Sequence, residues 1–294
     1  MSALAKRLHP RRVRRTLGAA SRVRERARFV VNELRDLPVV GEYRLRDADL
    51  LARVRHPLLD MWVFEEIFRF RVYDPPMPVA RRLDALPDPV RVVDLGGHVG
   101  LFGLFIRSIF PDAVVTSLEP DPGNAAELAR CIEANALHDR WTLIEACAAT
   151  SDGTVDFASN FHLSRAGPGG DGALEQFHAE LGGVFPFLRD TNLLQADHRQ
   201  VESRDVFPLL ADADLVKMDI EGAEWEILAD PRWSELQATA VVLEYHDMYT
   251  GAADAAQATA EALERAGYQT GPPQSSGPAG TMWAWKDAAQ RRTS

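Results

Sequence analysis

The sequence lacks several features that would assign a class at once. No apolar run comes near the roughly 20 residues that cross a bilayer. Residues 1–28 hold no apolar stretch of the kind a secretory leader needs, so neither a membrane span nor export is expected. There are 2 cysteines, Cys131 and Cys147, in no CxxC pattern. They offer no disulfide framework and no cysteine metal motif, and a reducing cytoplasm is the natural setting. No segment repeats. The dinucleotide fingerprint G-x-G-x-x-G also fails, because His98 stands where its second glycine belongs.

Charge is plentiful but uneven. Residues 1–28 carry ten Lys and Arg against Glu25 alone, a net +9, whereas the remainder carries 23 basic and 42 acidic groups, a net −19. The basic head suits an acidic partner, a solvated tail, or a helix lying on the acidic body. An acidic body argues against nucleic acid as a partner. With 294 residues, 46% hydrophobic and 26% charged, one full globular core with an appended piece is expected.

Apolar spacing in "DADLLARV" (47–54) and "LLDMWVFEEIFRF" (58–70) reads as two helices. A short helix over 78–86 fits between the breakers "YDPPMP" and "LPDP". From Pro89 onward, strand and helix alternate: "VRVVDLG", "LFGLFIRSIF", "AVVTSLEP", "NAAELARCIEANAL", and "WTLIEACAA" as a third strand. Such alternation predicts βαβ units and a parallel sheet. "GTVDFAS" then reads as an antiparallel strand. Residues 159–197 show no period and read as a lid or substrate wall, partly aromatic through Phe161, His162, Phe177, His178, Phe185 and Phe187. Regularity returns with a strand and short helix in "HRQVESRDVFPLL", then "ADLVKMDI", the helix "GAEWEIL", the strand "ATAVVLEY", a helix from Asp254, and a closing strand "GTMWAWK". The expected organisation is a basic tail (1–28), a helical segment (29–88), a catalytic domain (89–287) with an insertion at 159–197, and a loose tail (288–294).

Gly96, Gly97 and Gly100 sit where a first βα turn belongs, with Asp94 at the strand end. Glu119 ends the second strand, about where a ribose-binding acid falls, so a nucleoside-type cofactor is expected. "DLVKMDIEGAEWEIL" places Lys217, Asp219, Glu221 and Glu224 around a strand-to-helix turn. On a strand, Lys217 and Asp219 share one face and Met218 and Ile220 the other.

Together, "VDLGGHVGLFGLF", "SLEPDP", "IEACAATSDG", "ADLVKMDIEGAEWEIL" and "VVLEYHD" resemble the FkbM family of S-adenosylmethionine-dependent methyltransferases, over about Leu58 to Lys286. His98 departs from the asparagine usual in that family. The resemblance implies an α/β, Rossmann-like class I methyltransferase fold. This would be a mostly parallel seven-stranded sheet with helices on both faces, preceded by an N-terminal helical segment that contributes Tyr73 to the cofactor site. It further implies that Asp94 orients the cationic amino-acid end of S-adenosylmethionine. Turn N–H groups at Gly96, Gly97 and His98 take its carboxylate. Glu119 accepts the ribose hydroxyls, with Pro120 and Asp121 beside it, and Cys147 and Ala148 edge the adenine. Asp219, Glu244 and His246 converge on the transferring methyl, His246 as general base and Lys217 as ion-pair partner of the acids. Mg²⁺ on Asp219 and Glu244 is an alternative way to acidify the acceptor hydroxyl, although no third ligand is evident. Glu221 and Glu224 suit the helix dipole.

The reading is an O-methyltransferase for a hydroxyl of a sugar or other natural product. The alternatives are an NAD-dependent oxidoreductase, an N-methyltransferase of the same fold, or a degenerate fold that only binds. A small-molecule acceptor is the expected partner, and a homodimer is left open.

Overall fold

A computed structural model describes residues 9–35, 37–57, 60–87, 89–159, 164–166, 197–220, 222–246, 254–275 and 279–287. Glu221 and the six aromatic and histidine residues named for the 159–197 wall lie outside them, as does the side chain of His246.

The described part of the basic head, from His9 onward, is folded. Helix α1 (Pro10–Ala20) and helix α2 (Arg26–Arg35) pack on a hairpin of β1 (Val39–Arg44) and β2 (Leu51–His56). The strand β2 corrects the helix expected over 47–54. Its buried residues are Ala52, Val54 and His56, every second position, and Ala52 pairs with Tyr43 of β1. That period of two is a strand's signature, and the adjacent Leu50 and Leu51 masked it. Helix α3 (Asp60–Phe64) follows and widens into a π-helical turn, Glu65–Phe70. Helix α4 (Met77–Asp84) comes close to the expected 78–86.

The main sheet begins with β3 (Arg91–Leu95), α5 (Leu101–Ile109), β4 (Val114–Leu118), α6 (Pro122–Ala134) and β5 (Trp141–Ile144). The expected third strand is two strands: β6 (Cys147–Ala149) turns away after an Ala146 N–H to Ile144 carbonyl bond. It joins a separate four-stranded sheet with β7 (Gly153–Ser159), β8 (Ser164–Ala166) and β9 (Asp197–Asp205). The short helix α7 (Phe207–Leu210), β10 (Leu215–Met218), helix α8 (Glu224–Ala229), β11 (Ala240–His246) and helix α9 (Ala255–Arg265) return to the main sheet. It is completed by β12 (Gln269–Thr270), β13 (Gln274–Ser275) and β14 (Ala279–Trp285).

The main sheet runs β12-β14-β11-β10-β3-β4-β5, with β13 added alongside β14. The pairs from β11 to β5 are parallel, and β14 is antiparallel to its neighbours. The fold is therefore the expected seven-strand Rossmann-like sheet with one short addition. Helices cover both faces. Leu104, Phe105, Leu128 and Cys131 lie on one, and Leu210, Ile227, Trp233 and Leu263 on the other. The first face also buries Phe29, Tyr43, Val54 and Phe64, so the N-terminal segment and the sheet share one core. Strand order reverses between β3 and β10, the switch point at which open α/β sheets bind ligands.

Candidate active site

Side chains alternate along a strand, and register therefore fixes which residues meet at the switch point. Asp94 lies opposite Ser117 on one side and Lys217 on the other, and Lys217 lies opposite Val242. Two residues further along, at the carboxyl ends of the same strands, stand Glu119, Asp219 and Glu244. The inner row forms the floor of the site and the outer row its working edge.

The floor is a chain of hydrogen bonds. Trp141 Nε1 donates to Ser117 Oγ (3.0 Å), and Ser117 Oγ donates to Asp94 Oδ2 (3.0 Å). Lys217 Nζ lies 3.4 Å from Asp94 and 3.4 Å from Asp219, and donates to the carbonyls of Gly96 (2.7 Å) and Leu95 (3.3 Å). Burial raises the Asp94 carboxyl pKa, opposed by the Lys217 charge. Burial also works against the Lys217 ammonium, but the carboxylates of Asp219, Asp94 and Glu244 outweigh it and push its pKa up to about 12. Asp94 is 0% exposed. Its contacts among the described residues are Ser117 and Lys217.

The glycine turn is built against this floor. Gly96 has φ +83°, and a Cβ there would collide with the carbonyl oxygen of Asp219. The Gly96 and Gly97 N–H groups bond the Leu118 carbonyl (3.1 and 2.8 Å), and the His98 N–H bonds Glu119 Oε2 (2.7 Å). These three N–H groups are thus engaged within the protein. Glu119 also accepts from the Asp121 N–H (2.9 Å). Burial pushes the Glu119 carboxyl pKa up to about 7 in spite of these bonds. Asp121 caps α6 and takes Arg199 at 3.1 Å, and the Pro120 between the two acids is partly exposed.

The N-terminal segment closes over the turn through residues that carry no motif. Arg55 makes a two-pronged pair with Asp60 (2.8 and 2.7 Å) and donates to Asn124 Oδ1 (2.8 Å). His98 Nε2 lies 3.5 Å from Asp60 and 3.4 Å from Arg55. Burial lowers the pKa of His98, so its ring is held neutral, and its Nδ1 is buried with no hydrogen-bond partner among the described residues. Nothing in the sequence marks Arg55, Asp60, Ser117 or Asn124, because each acts through a neighbour that only the fold supplies.

Tyr73, 5% exposed, donates from Oη to Glu244 Oε2 (2.9 Å), and its ring packs edge-on against Phe102 at 5.3 Å. Burial, then the charges of Glu244 and Asp219, raise its pKa well above the usual phenol value. Tyr73 therefore stays a donor. Glu224 does more than complement the helix dipole: its buried carboxylate accepts the N–H groups of Ile220 and Gly222 (both 2.7 Å) and fixes the turn after Asp219. Cys147 and Ala148 are buried at the start of β6. Burial, reinforced by Glu119, pushes the Cys147 thiol up to about 12, so it serves as apolar wall. The Mg²⁺ alternative does not fit. Asp219 faces the Lys217 ammonium, Glu244 accepts from Tyr73, and no group of three or more His, Cys, Asp or Glu among the described residues is placed to hold an ion.

The profile of the methyltransferase FkbM domain matches residues 94–270. The 2-O-methyltransferase NoeI of Sinorhizobium fredii is 27% identical over 177 residues, covering 56% of this chain and 67% of that protein. Methyltransferase 1 of Beauveria bassiana is 23% identical over 195 residues, covering 62% and 72%. Among solved structures, the methyltransferase FkbM of Methylobacillus flagellatus aligns with a TM-score of 0.44 at 16% identity, covering 94% of this chain and 59% of that one.

Proposed function

The chain belongs to the FkbM family of S-adenosylmethionine-dependent methyltransferases, and on that footing we propose that it methylates a hydroxyl oxygen of a sugar or sugar-bearing natural product. Family membership removes the oxidoreductase reading.

The residues present suit the cofactor. Gly96 leaves backbone where a side chain would stand, the buried His98 Nδ1 offers a polar atom to the amino-acid end, and Glu119 sits where a ribose is expected. When bound, S-adenosylmethionine supplies an electrophilic methyl group on a sulfonium. The rest of the work is positioning and proton removal. Asp219 and Glu244 end adjacent strands at the ligand edge, so both carboxylates face the acceptor side. Tyr73 fixes Glu244 by its hydrogen bond, which leaves Glu244 to orient the acceptor hydroxyl. His246 lies two residues further along β11 and takes the hydroxyl proton as the methyl–oxygen bond forms. The observation that carries the reading is this carboxylate row on a shared edge, held by Lys217 on one side and Tyr73 on the other. The 2-O-methyltransferase activity in the name of the Sinorhizobium relative favours oxygen as the acceptor atom.

The test is incubation with S-adenosylmethionine and a panel of sugars, glycosides and amines, followed by mass detection. The expected result is gain of one methyl group on oxygen with equimolar S-adenosylhomocysteine. Methylation confined to the amines would overturn the hydroxyl assignment.

A further inference from the structure

We propose that the outward face of α1 and α2 docks this enzyme on an anionic lipid surface. Every exposed charged side chain in the described residues 9–35 is an arginine: Arg11, Arg14, Arg24, Arg26, Arg28 and Arg35. Neither acid of that span is exposed. Glu33 is buried against His56 and Arg12, and Glu25 accepts the Arg44 N–H.

Apolar groups are interleaved with these arginines. Six large apolar side chains are exposed among the described residues; Leu17 (54%) and Val31 (51%) lie on this stretch, and Leu37 (56%) and Val40 (41%) follow soon after it. On α2, Ala27 and Val31 are spaced one helical turn apart on the outward side, with Arg24, Arg28 and Arg35 beside them. The two helices pack on each other, with Arg12 donating to the Glu33 carbonyl, and β1 follows α2 in the chain.

Aliphatic side chains set among arginines match the headgroup–acyl boundary of an acidic bilayer, where the cations meet phosphates and the apolar tips enter the interface. Single-stranded nucleic acid would be met by exposed aromatic stacking surfaces, and this patch has none among its exposed residues. Charge also sets the orientation. The head at net +9 is drawn to an anionic surface, while the remainder at net −19 is pushed away.

The measurement is co-sedimentation of the full chain with phosphatidylcholine vesicles, with and without phosphatidylglycerol. The chain is expected to pellet with the anionic vesicles at low salt, to be released at high salt, and to ignore phosphatidylcholine alone. Arg24→Glu combined with Arg35→Glu, and separately Val31→Glu combined with Leu37→Glu, should each cut the bound fraction at least fivefold. Circular dichroism and turnover on a soluble acceptor should stay unchanged. Failure to pellet at low salt would overturn the proposal, as would variants that bind like the parent. An equal affinity for a single-stranded oligonucleotide, or a salt-sensitive dimer in place of vesicle binding, would do the same.

Discussion

Replacing Lys217 by methionine would leave Asp94 buried opposite an apolar chain. A buried carboxylate stripped of its counter-charge costs about 3–5 kcal/mol, so Lys217→Met should lower the thermal midpoint sharply, and Lys217→Arg should recover little because the pocket between β3 and β10 is closed. Thermal unfolding followed by circular dichroism reads both. Glu119 gives a pH signature. Its pKa rises from 4.5 to about 7 in the fold, so its contribution to the stability of the free enzyme is fully present below pH 4.5 and is lost as pH climbs through about 7. A ribose is best received by the carboxylate. Cofactor binding at pH 6.5 should therefore release a proton, and affinity should rise toward pH 7 and level off above it. Calorimetry in buffers of different ionisation enthalpy measures this, and Glu119→Gln should abolish the proton release. The positions of Asp94, Glu119 and Asp219 were legible in the sequence, because an acid at the end of a β-rich run marks the carboxyl edge of a parallel sheet. Their contacts were not. Asp94 faces inward to Lys217 and Ser117, and Glu119 holds the N–H groups of His98 and Asp121, because burial makes each carboxylate take the nearest donor.

At the scale of elements, the turn after β10 is the joint between scaffold and chemistry. Asp219 stands on it, Gly96 packs against its backbone, and Glu224 holds it from the start of α8. Asp219→Asn keeps the shape and removes the charge, so turnover should collapse while the melting temperature moves little. Glu224→Gln removes one of two charge-assisted acceptors, each worth about 1.5–3 kcal/mol. It should lower both stability and turnover, and a variant with parental melting temperature would show that the turn stands without it. The strand–helix alternation from Pro89 was readable because parallel strands buried on both faces are continuous apolar runs. The hairpin of β1 and β2 was not, since Leu50 and Leu51 blur its alternation. The split of β5 from β6 was hidden as well, because a two-residue turn inside "WTLIEACAA" has no glycine or proline to announce it.

For the whole molecule, the matched family domain begins at residue 94, yet the core does not. Phe29, Tyr43 and Phe64 share one apolar cluster with Leu104 and Phe105 beneath the sheet. Phe68 meets Phe105 at 6.2 Å, and Tyr73 meets Phe102 at 5.3 Å. Arg82 reaches the Lys286 carbonyl and pairs with Asp287, which ties the N-terminal segment to the end of the closing strand. A basic tail and a separate helical segment were the natural sequence reading, because residues 1–28 are polar and basic and carry no long apolar face. What the composition could not convey is that Ala19, Ala20 and Val23, small and easily overlooked, are fully or almost fully buried. The expected behaviour is therefore one cooperative unfolding transition for the full chain, with calorimetric and van't Hoff enthalpies in agreement. A chain starting at Pro89 would expose the Leu104–Phe105 face of α5 and leave Glu244 without Tyr73. It should aggregate or lose cooperativity, and it should not bind S-adenosylmethionine. A truncated chain that melts sharply and binds the cofactor with parental affinity would show instead that residues before Pro89 only cover a site that is complete without them.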